Sequence, residues 1–165
     1  FRLRILVIKV YQNFLPQEEF DVYKTIILSN EFPWYFIDHV AYKEDKQDFL
    51  FFHLLLNEEN VKSPFYEQLV DPLIKRINSK PFRIKANLYT KKELEIPSAF
   101  HVDAAKPHKV ALFSVNTCNG YTLFKNGDKV PSIENSLTIF DGSMPHASVP
   151  QTDEKIRVNV NINLE

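Results

Sequence analysis

Arg157-Val158-Asn159-Val160-Asn161-Ile162-Asn163-Leu164 alternates polar and apolar side chains without a break. Successive side chains of a strand point to opposite faces, so this stretch reads as a strand with one apolar face and one polar face. Arg83-Ile84-Lys85-Ala86-Asn87-Leu88-Tyr89 repeats the pattern. Two such strands need cover on their apolar sides. Their polar sides, bearing Asn87, Tyr89, Arg157 and Asn159, meet either bulk water, as in most antiparallel sheets, or a polar cavity. Composition does not separate the two. The histidines described below favour the cavity.

Working outward, the chain from Pro81 onward reads as β throughout. Val110 to Val115, Tyr121 to Phe124 and Leu137 to Phe140 are short apolar runs set between turn residues, and Asn126-Gly127 is a hairpin signal. Before Pro81 the pattern is mixed. Pro16 followed by Gln17, Glu18 and Glu19 predicts a helix start, with acids at the positive end of the dipole, and Phe20, Tyr23, Ile26 and Ile27 recur at helical spacing. Ser63-Pro64 predicts a second helix with Phe65, Leu69, Leu73, Ile74 and Ile77 on its apolar face. Trp34 to Ile37, Phe49 to Leu55 and the opening Ile5-Leu6-Val7-Ile8 are expected strands. The two helices are expected to supply the cover.

The bulk numbers narrow the class. At 165 residues the chain is expected to be one domain, 44% hydrophobic, 25% charged and 13% aromatic, a composition that argues against disorder. It has no Gly-x-Gly-x-x-Gly and no phosphate loop. A net charge of −1 gives no general attraction to nucleic acid or to an anionic membrane, so neither is an expected partner. No apolar run is long enough to span a bilayer. Cys118 stands alone, which excludes an intramolecular disulfide and a cysteine-rich zinc site, and a reducing, cytoplasmic setting is expected. Cys118 itself reads as a small buried hydrophobe.

His101-Val102-Asp103 carries the chemistry. Residues two apart on a strand share a face, so the imidazole and the carboxylate can converge on one ion. His146 follows in Met144-Pro145-His146-Ala147-Ser148, and Arg157 comes eleven residues later. Two imidazoles and one carboxylate suit Fe(II) or Zn(II) and leave coordination positions open. His-x-Asp alone is common by chance; its order with a distant histidine and a basic residue is what lends it weight. Arg157 offers a planar fork for a carboxylate, against the plainer reading of a surface ion pair with Asp153 or Glu154. His53, inside an apolar run, reads as a satisfied core histidine, while His39 and His108 read as surface residues. Lys91, Lys92, Lys106 and Lys109 read as a solvated rim, against the alternative of attracting an anionic cosubstrate or substrate, and Trp34 and Tyr35 read as core aromatics, against the alternative of lining a substrate groove.

From about Phe82 to Leu164 the sequence resembles the 2-oxoglutarate/Fe(II)-dependent oxygenases, in particular their small prolyl-hydroxylase-like branch with members in phages and marine bacteria. The resemblance rests on Asn87-Leu88-Tyr89, His101-Val102-Asp103, Val115-Asn116-Thr117-Cys118-Asn119-Gly120-Tyr121-Thr122, Ile139-Phe140-Asp141-Gly142 with His146, and Arg157. It implies a mainly β double-stranded β-helix, or jelly roll, over residues 81–165, with the mixed α/β segment of residues 1–80 contributing two helices packed outside one sheet. It implies Fe(II) on His101, Asp103 and His146, with 2-oxoglutarate and O₂ as cosubstrates. Arg157 would pair with the far carboxylate of 2-oxoglutarate, Tyr89 would support it, and Asn87 and Asn159 would complete the cosubstrate-binding set. Asn159 stands where some relatives have serine, a departure that leaves its role open. Retention of Asp103 argues against a halogenase. A cupin-like metal enzyme without 2-oxoglutarate and a non-catalytic jelly-roll module are the other two readings. A peptidyl proline, another protein side chain and a small metabolite all fit as substrate, and the oligomeric state stays open.

Overall fold

The polar–apolar alternation of the last strand divides the molecule into its layers. In the computed structural model, which describes residues 7–44 and 48–165, the elements run in the following order. The first half holds β1 (Lys9–Tyr11), α1 (Gln17–Ile27), β2 (Tyr35–Ile37), β3 (Leu50–Asn57), β4 (Asn60–Val61), α2 (Tyr66–Leu69) and α3 (Asp71–Ile77). The second half holds β5 (Pro81–Thr90), β6 (Lys109–Ser114), β7 (Cys118–Phe124), β8 (Lys129–Ser132), β9 (Ser136–Asp141), β10 (His146–Val149) and β11 (Ile156–Leu164). The larger sheet has eight strands in the order β1-β9-β6-β11-β5-β3-β2, with β4 paired to β3, and the smaller has the order β10-β7-β8. Two antiparallel sheets with this winding form a double-stranded β-helix, the fold expected from the sequence.

On one side of the larger sheet, Val158, Val160, Ile162 and Leu164 of β11 join Ile84 and Ala86 of β5 and Ala111 and Phe113 of β6 in the main core. Helix α1 closes that core with Phe20, Tyr23 and Ile27, and α2 and α3 add Leu69 and Leu73. The helical regions expected from the sequence therefore do supply the cover. On the other side of the sheet, Val110, Phe124, Val130, Phe140 and Met144 make a second, smaller apolar cluster. It joins the two sheets at one end and leaves the polar row of β5 and β11 facing a cavity.

Several expectations need correction in detail. Ile5 and Leu6 lie outside the described residues, and the first strand falls after Ile8, at Lys9–Tyr11. The helix expected after Ser63-Pro64 is two short helices broken at Val70, where Pro72 stands in the first turn of α3 and cannot donate a backbone hydrogen bond. Ser63 still acts at the start, accepting the Phe65 N–H at 3.1 Å. The hairpin at Asn126-Gly127 joins β7 to β8, and β8 and β10, too short and mixed to announce themselves, complete the smaller sheet. Trp34 packs against the main core, whereas Tyr35 is exposed on the edge strand β2. Among the described residues no helix is long and apolar enough to cross a membrane.

Candidate metal centre

His146 begins β10 and faces the cavity side of the smaller sheet. The connection 91–108 between β5 and β6 runs back along that strand. Ser98 N–H donates to the Ser148 carbonyl at 2.9 Å, and His101 and His146 exchange backbone hydrogen bonds at 3.0 Å each. This single antiparallel bridge replaces the short strand expected around His101, and Asp103 sits in the bend that follows it. Strand geometry is therefore not what aligns His101 with Asp103. The backbone pairing to β10 sets the histidines side by side, and the bend turns the carboxylate between them.

The three side chains meet. Ligating atoms of His101, Asp103 and His146 all lie within 4.8 Å of one another. His101 Nε2 and His146 Nε2 stand 3.6 and 3.7 Å from Asp103 Oδ1, too far for good hydrogen bonds and near enough for one ion to bridge. His101 Nδ1 donates to the Ala99 carbonyl at 3.2 Å and His146 Nδ1 to the Met144 carbonyl at 3.1 Å. Both bonds place the ring proton on Nδ1 and aim the Nε2 lone pair inward, the usual support for a metal-binding imidazole. Asp103 Oδ2 accepts from the side-chain amides of Asn161 at 2.9 Å and Asn163 at 3.1 Å, which leaves Oδ1 for the ion.

Electrostatics agree with that geometry. Burial, reinforced by His146, holds His101 below the ordinary imidazole range, so it is neutral and able to ligate near neutral pH. Burial pulls the Asp103 carboxyl up, but His146, the Asn161 amide, His101 and Lys85 outweigh it, and Asp103 sits below the usual carboxylate range. The donor set fits a divalent ion with open coordination positions.

Behind the triad, a cavity of about 380 Å³ including its mouth runs between the sheets and is lined by Asn87, Tyr89, Arg157, Asn159 and Asn161 among others. Arg157 is 3% exposed. The surface ion pair with Asp153 or Glu154 does not form: among the described residues Arg157 has no carboxylate within ion-pair distance, and Asp153 instead accepts from the Asn119 N–H. Its fork reaches only neutral acceptors, the Tyr121 and Val149 carbonyls at 3.3 and 3.2 Å, Ser148 Oγ at 3.1 Å and Thr122 Oγ1 at 3.4 Å. Arg157 Nε is buried with no partner, and the guanidinium carbon lies 5.5 Å from the Tyr89 ring centre. Gly120 makes room for this arrangement, since a Cβ there would come within 3.1 Å of Arg157 Cδ. Burial lowers the arginine pKa and raises that of the Tyr89 phenol. A dianionic acid with one end at Arg157 and the other toward the triad would supply the missing counter-charge.

Asn87 and Asn159 are both buried and bonded to each other, Asn87 Nδ2 donating to Asn159 Oδ1 at 3.0 Å, between Arg157 and the metal triad along β5 and β11. Asn161 and Asn163 do not stand out in the sequence by themselves, although they continue the polar face that Arg157 and Asn159 begin. Thr122 and Ser148 are likewise silent there, because strands as short as β10 leave no alternation to read. Tyr42 donates its hydroxyl to the Phe100 carbonyl at 3.1 Å and sets its ring edge-on to His101.

Among the other histidines, His53 is the satisfied core residue expected, with Nδ1 2.7 Å from the Pro33 carbonyl and Nε2 2.7 Å from Ser63 Oγ. His39 is partly exposed beside Asp38. His108 is not a surface residue: it is 7% exposed, wedged between Phe82 and Gly142, with Nδ1 on the Lys106 carbonyl. Cys118 is buried, and burial raises its thiol pKa even with Arg157 nearby. Lys106 lies over the Phe82 ring and Lys92 pairs with Asp48, so these two lysines of the expected rim have partners of their own.

No family model matches the sequence, and no curated protein matches it. Solved structures do match in fold. A viral collagen prolyl hydroxylase from Paramecium bursaria Chlorella virus-1 superposes with a TM-score of 0.64 at 13% identity, covering 96% of this chain and 96% of that one. A 2OG-Fe(II) oxygenase family oxidoreductase from Burkholderia pseudomallei gives 0.67 at 11% identity, covering 96% and 84%. A prolyl hydroxylase from Trichoplax adhaerens, in complex with a hypoxia-inducible-factor peptide, gives 0.65 at 15%, covering 95% and 82%. Identities this low establish the shared fold. Within that fold, His101, Asp103 and His146 form a two-histidine, one-carboxylate cluster that could hold a divalent ion.

Proposed function

We propose that the protein is a hydroxylase that uses Fe(II), 2-oxoglutarate and O₂ to oxidise a C–H bond of its substrate. The observation that carries this reading is the pairing of two incomplete sites in one cavity. At its mouth three ligating groups converge without an ion's worth of contact between them. At its base a buried arginine has, among the described residues, neutral acceptors and no carboxylate partner. One chelating keto-diacid satisfies both.

His101, Asp103 and His146 would hold the iron. Bound iron with 2-oxoglutarate supplies the oxygen-activating chemistry that oxidises a C–H bond while the keto acid is decarboxylated to succinate. The chain's own work is placement. Arg157 grips the distal carboxylate, with its own direction fixed by the Tyr121 and Val149 carbonyls. Thr122 and Tyr89 flank the same end, and the Asn87–Asn159 pair lines the middle of the cavity. Phe140, which stacks edge-on to His146 at 5.1 Å, and Phe124 keep water from the inner side of the centre. Asn161 and Asn163 hold Asp103 in its ligating orientation. No side chain is needed as an acid or base.

Anaerobic addition of Fe(II) and then 2-oxoglutarate is expected to produce a weak visible charge-transfer band at one equivalent of each. Admission of O₂ is then expected to yield succinate, faster when a true substrate is present, with peptidyl proline heading the panel. Asp103→Ala is expected to bind no iron and to form no succinate. A fully active Asp103→Ala protein would rule the mechanism out. Stoichiometric metal without succinate formation would point to a cupin-like enzyme, and absence of metal binding to a non-catalytic module.

A further inference from the structure

The polar row of β5 does not end at the metal. In register across β5 and β11, Tyr89 faces Arg157, Asn87 faces Asn159, Lys85 faces Asn161 and Arg83 faces Asn163. Lys85 therefore stands four residues from the Arg157 level, about 13 Å along the strand at the usual rise, and opposite the residue that bonds Asp103. Its cross-strand partner Asn161 is the residue that holds Asp103. Because Asn161 Nδ2 donates to that carboxylate, the other amide atom is fixed as oxygen, and this buried Oδ1 has no partner. Lys85 Nζ lies 5.9 Å from the ring centre of Phe52, and Phe52 is followed outward by the exposed ring of Tyr35 at 6.3 Å.

Among the described residues, neither Lys85 nor Arg83 has a carboxylate within ion-pair distance. Asp103 is near enough to be felt by Lys85 but is engaged elsewhere. Charge neutrality then becomes informative. In the loaded site, a divalent ion, Asp103, a dianionic keto acid and Arg157 balance one another. Among the described residues, Lys85 and Arg83 remain without a compensating carboxylate, and Lys85 stands beside the Phe52 and Tyr35 rings. A partly buried ammonium without a counter-ion is costly, and a ligand that brings a carboxylate to it is favoured by a charge-assisted hydrogen bond.

We propose that Lys85 is a specificity-determining residue that receives a carboxylate of the primary substrate, with the neighbouring apolar portion of that substrate against Phe52 and Tyr35. This deepens the oxygenase reading and rests on it. It narrows the substrate class to molecules or peptide segments with an acidic group close to the C–H bond that reacts.

The test uses full-length protein with ¹³Cε-labelled lysines, loaded with Zn(II) and saturated with 2-oxoglutarate so that Arg157 is already occupied. Acetate is titrated as the probe and acetamide as its neutral counterpart. Acetate is expected to shift the Lys85 resonance saturably, acetamide is expected not to, and Lys85→Met is expected to weaken acetate binding about tenfold or more. A Lys85 signal that ignores acetate, or that answers acetamide equally, overturns the proposal. Binding of 2-oxoglutarate is read from its own resonances in the same sample. Its failure would count against the oxygenase reading separately, and Lys85 would still be judged in the Zn(II)-only protein. The wild-type resonance settles the matter even if the variant folds poorly.

Discussion

Asn161 holds Asp103: its amide donates to Oδ2 at 2.9 Å while Oδ1 faces the two imidazoles. Because Asn163 makes a second bond to the same oxygen, the carboxylate is fixed in plane before any ion arrives. Removing one of these donors frees the carboxylate to rotate and leaves a lone pair unsatisfied. Asn161→Leu is expected to weaken Fe(II) binding about tenfold to a hundredfold, the usual scale for a group that orients a metal ligand. Competition with a chelator measures it, and an unchanged affinity would mean Asn163 alone suffices.

Arg157→Met separates the two halves of the centre. A buried guanidinium without a counter-ion costs the empty protein stability, so the apolar variant is expected to unfold at the same or higher denaturant concentration. Loss of charge-assisted bonds to the distal carboxylate, about 1.5–3 kcal/mol each, is expected to raise the 2-oxoglutarate requirement at least about tenfold. Iron affinity is expected to be unaltered. Equilibrium denaturation and cosubstrate titration check the two effects independently.

His108 and Gly142 form a lock at the end of β9. A Cβ at Gly142 would lie 2.3 Å from His108 Nε2, so the ring occupies the space a side chain would need. Gly142→Ala is expected to destabilise the protein by about 1–3 kcal/mol through overpacking. In a His108→Ala background the same change is expected to cost far less, because the clash is gone. Additive effects in the double variant would refute direct contact.

Lys85 makes stability depend on alkaline pH. Burial, then Arg83, lower its pKa from 10.5 to about 8. The unfolded chain thus holds the extra proton between about pH 8 and 10.5, and stability rises with pH across that window; below it the full penalty applies. Lys85→Met is expected to stabilise the metal-free protein by about 1–3 kcal/mol at pH 7, with the advantage fading toward pH 10.5. Urea denaturation at several pH values gives the curve.

The layers of the fold are legible wherever a strand is long. β5 and β11 alternate over ten and nine residues, enough to show which side is buried and to place Asn87, Tyr89, Arg157 and Asn159 on one face. The order of His101, Asp103, His146 and Arg157 is equally readable, because ligands joined through a fold keep their sequence even where their backbone conformation is misread. What stays hidden is set by long-range contact. His108 looks exposed from its charged neighbours, yet Phe82 and Gly142, from two distant stretches of the chain, bury it. β10 has four residues and no alternation of its own, and His101 takes its position from pairing with that strand. The break between α2 and α3 hangs on Pro72, which fits equally well near the start of one helix or inside a longer pattern.

The two oxygens of Asp103 look toward different walls of the sandwich: one to the histidines on the smaller sheet's side, the other to asparagines of the larger sheet. An ion seated there would therefore act as a clasp at the rim, and a diacid lodged on Arg157 as a second fastening at the base of the cavity. Loading would draw the walls together at both ends, so the filled protein should resist proteases and slow its amide exchange along β7 and β10 before any substrate arrives.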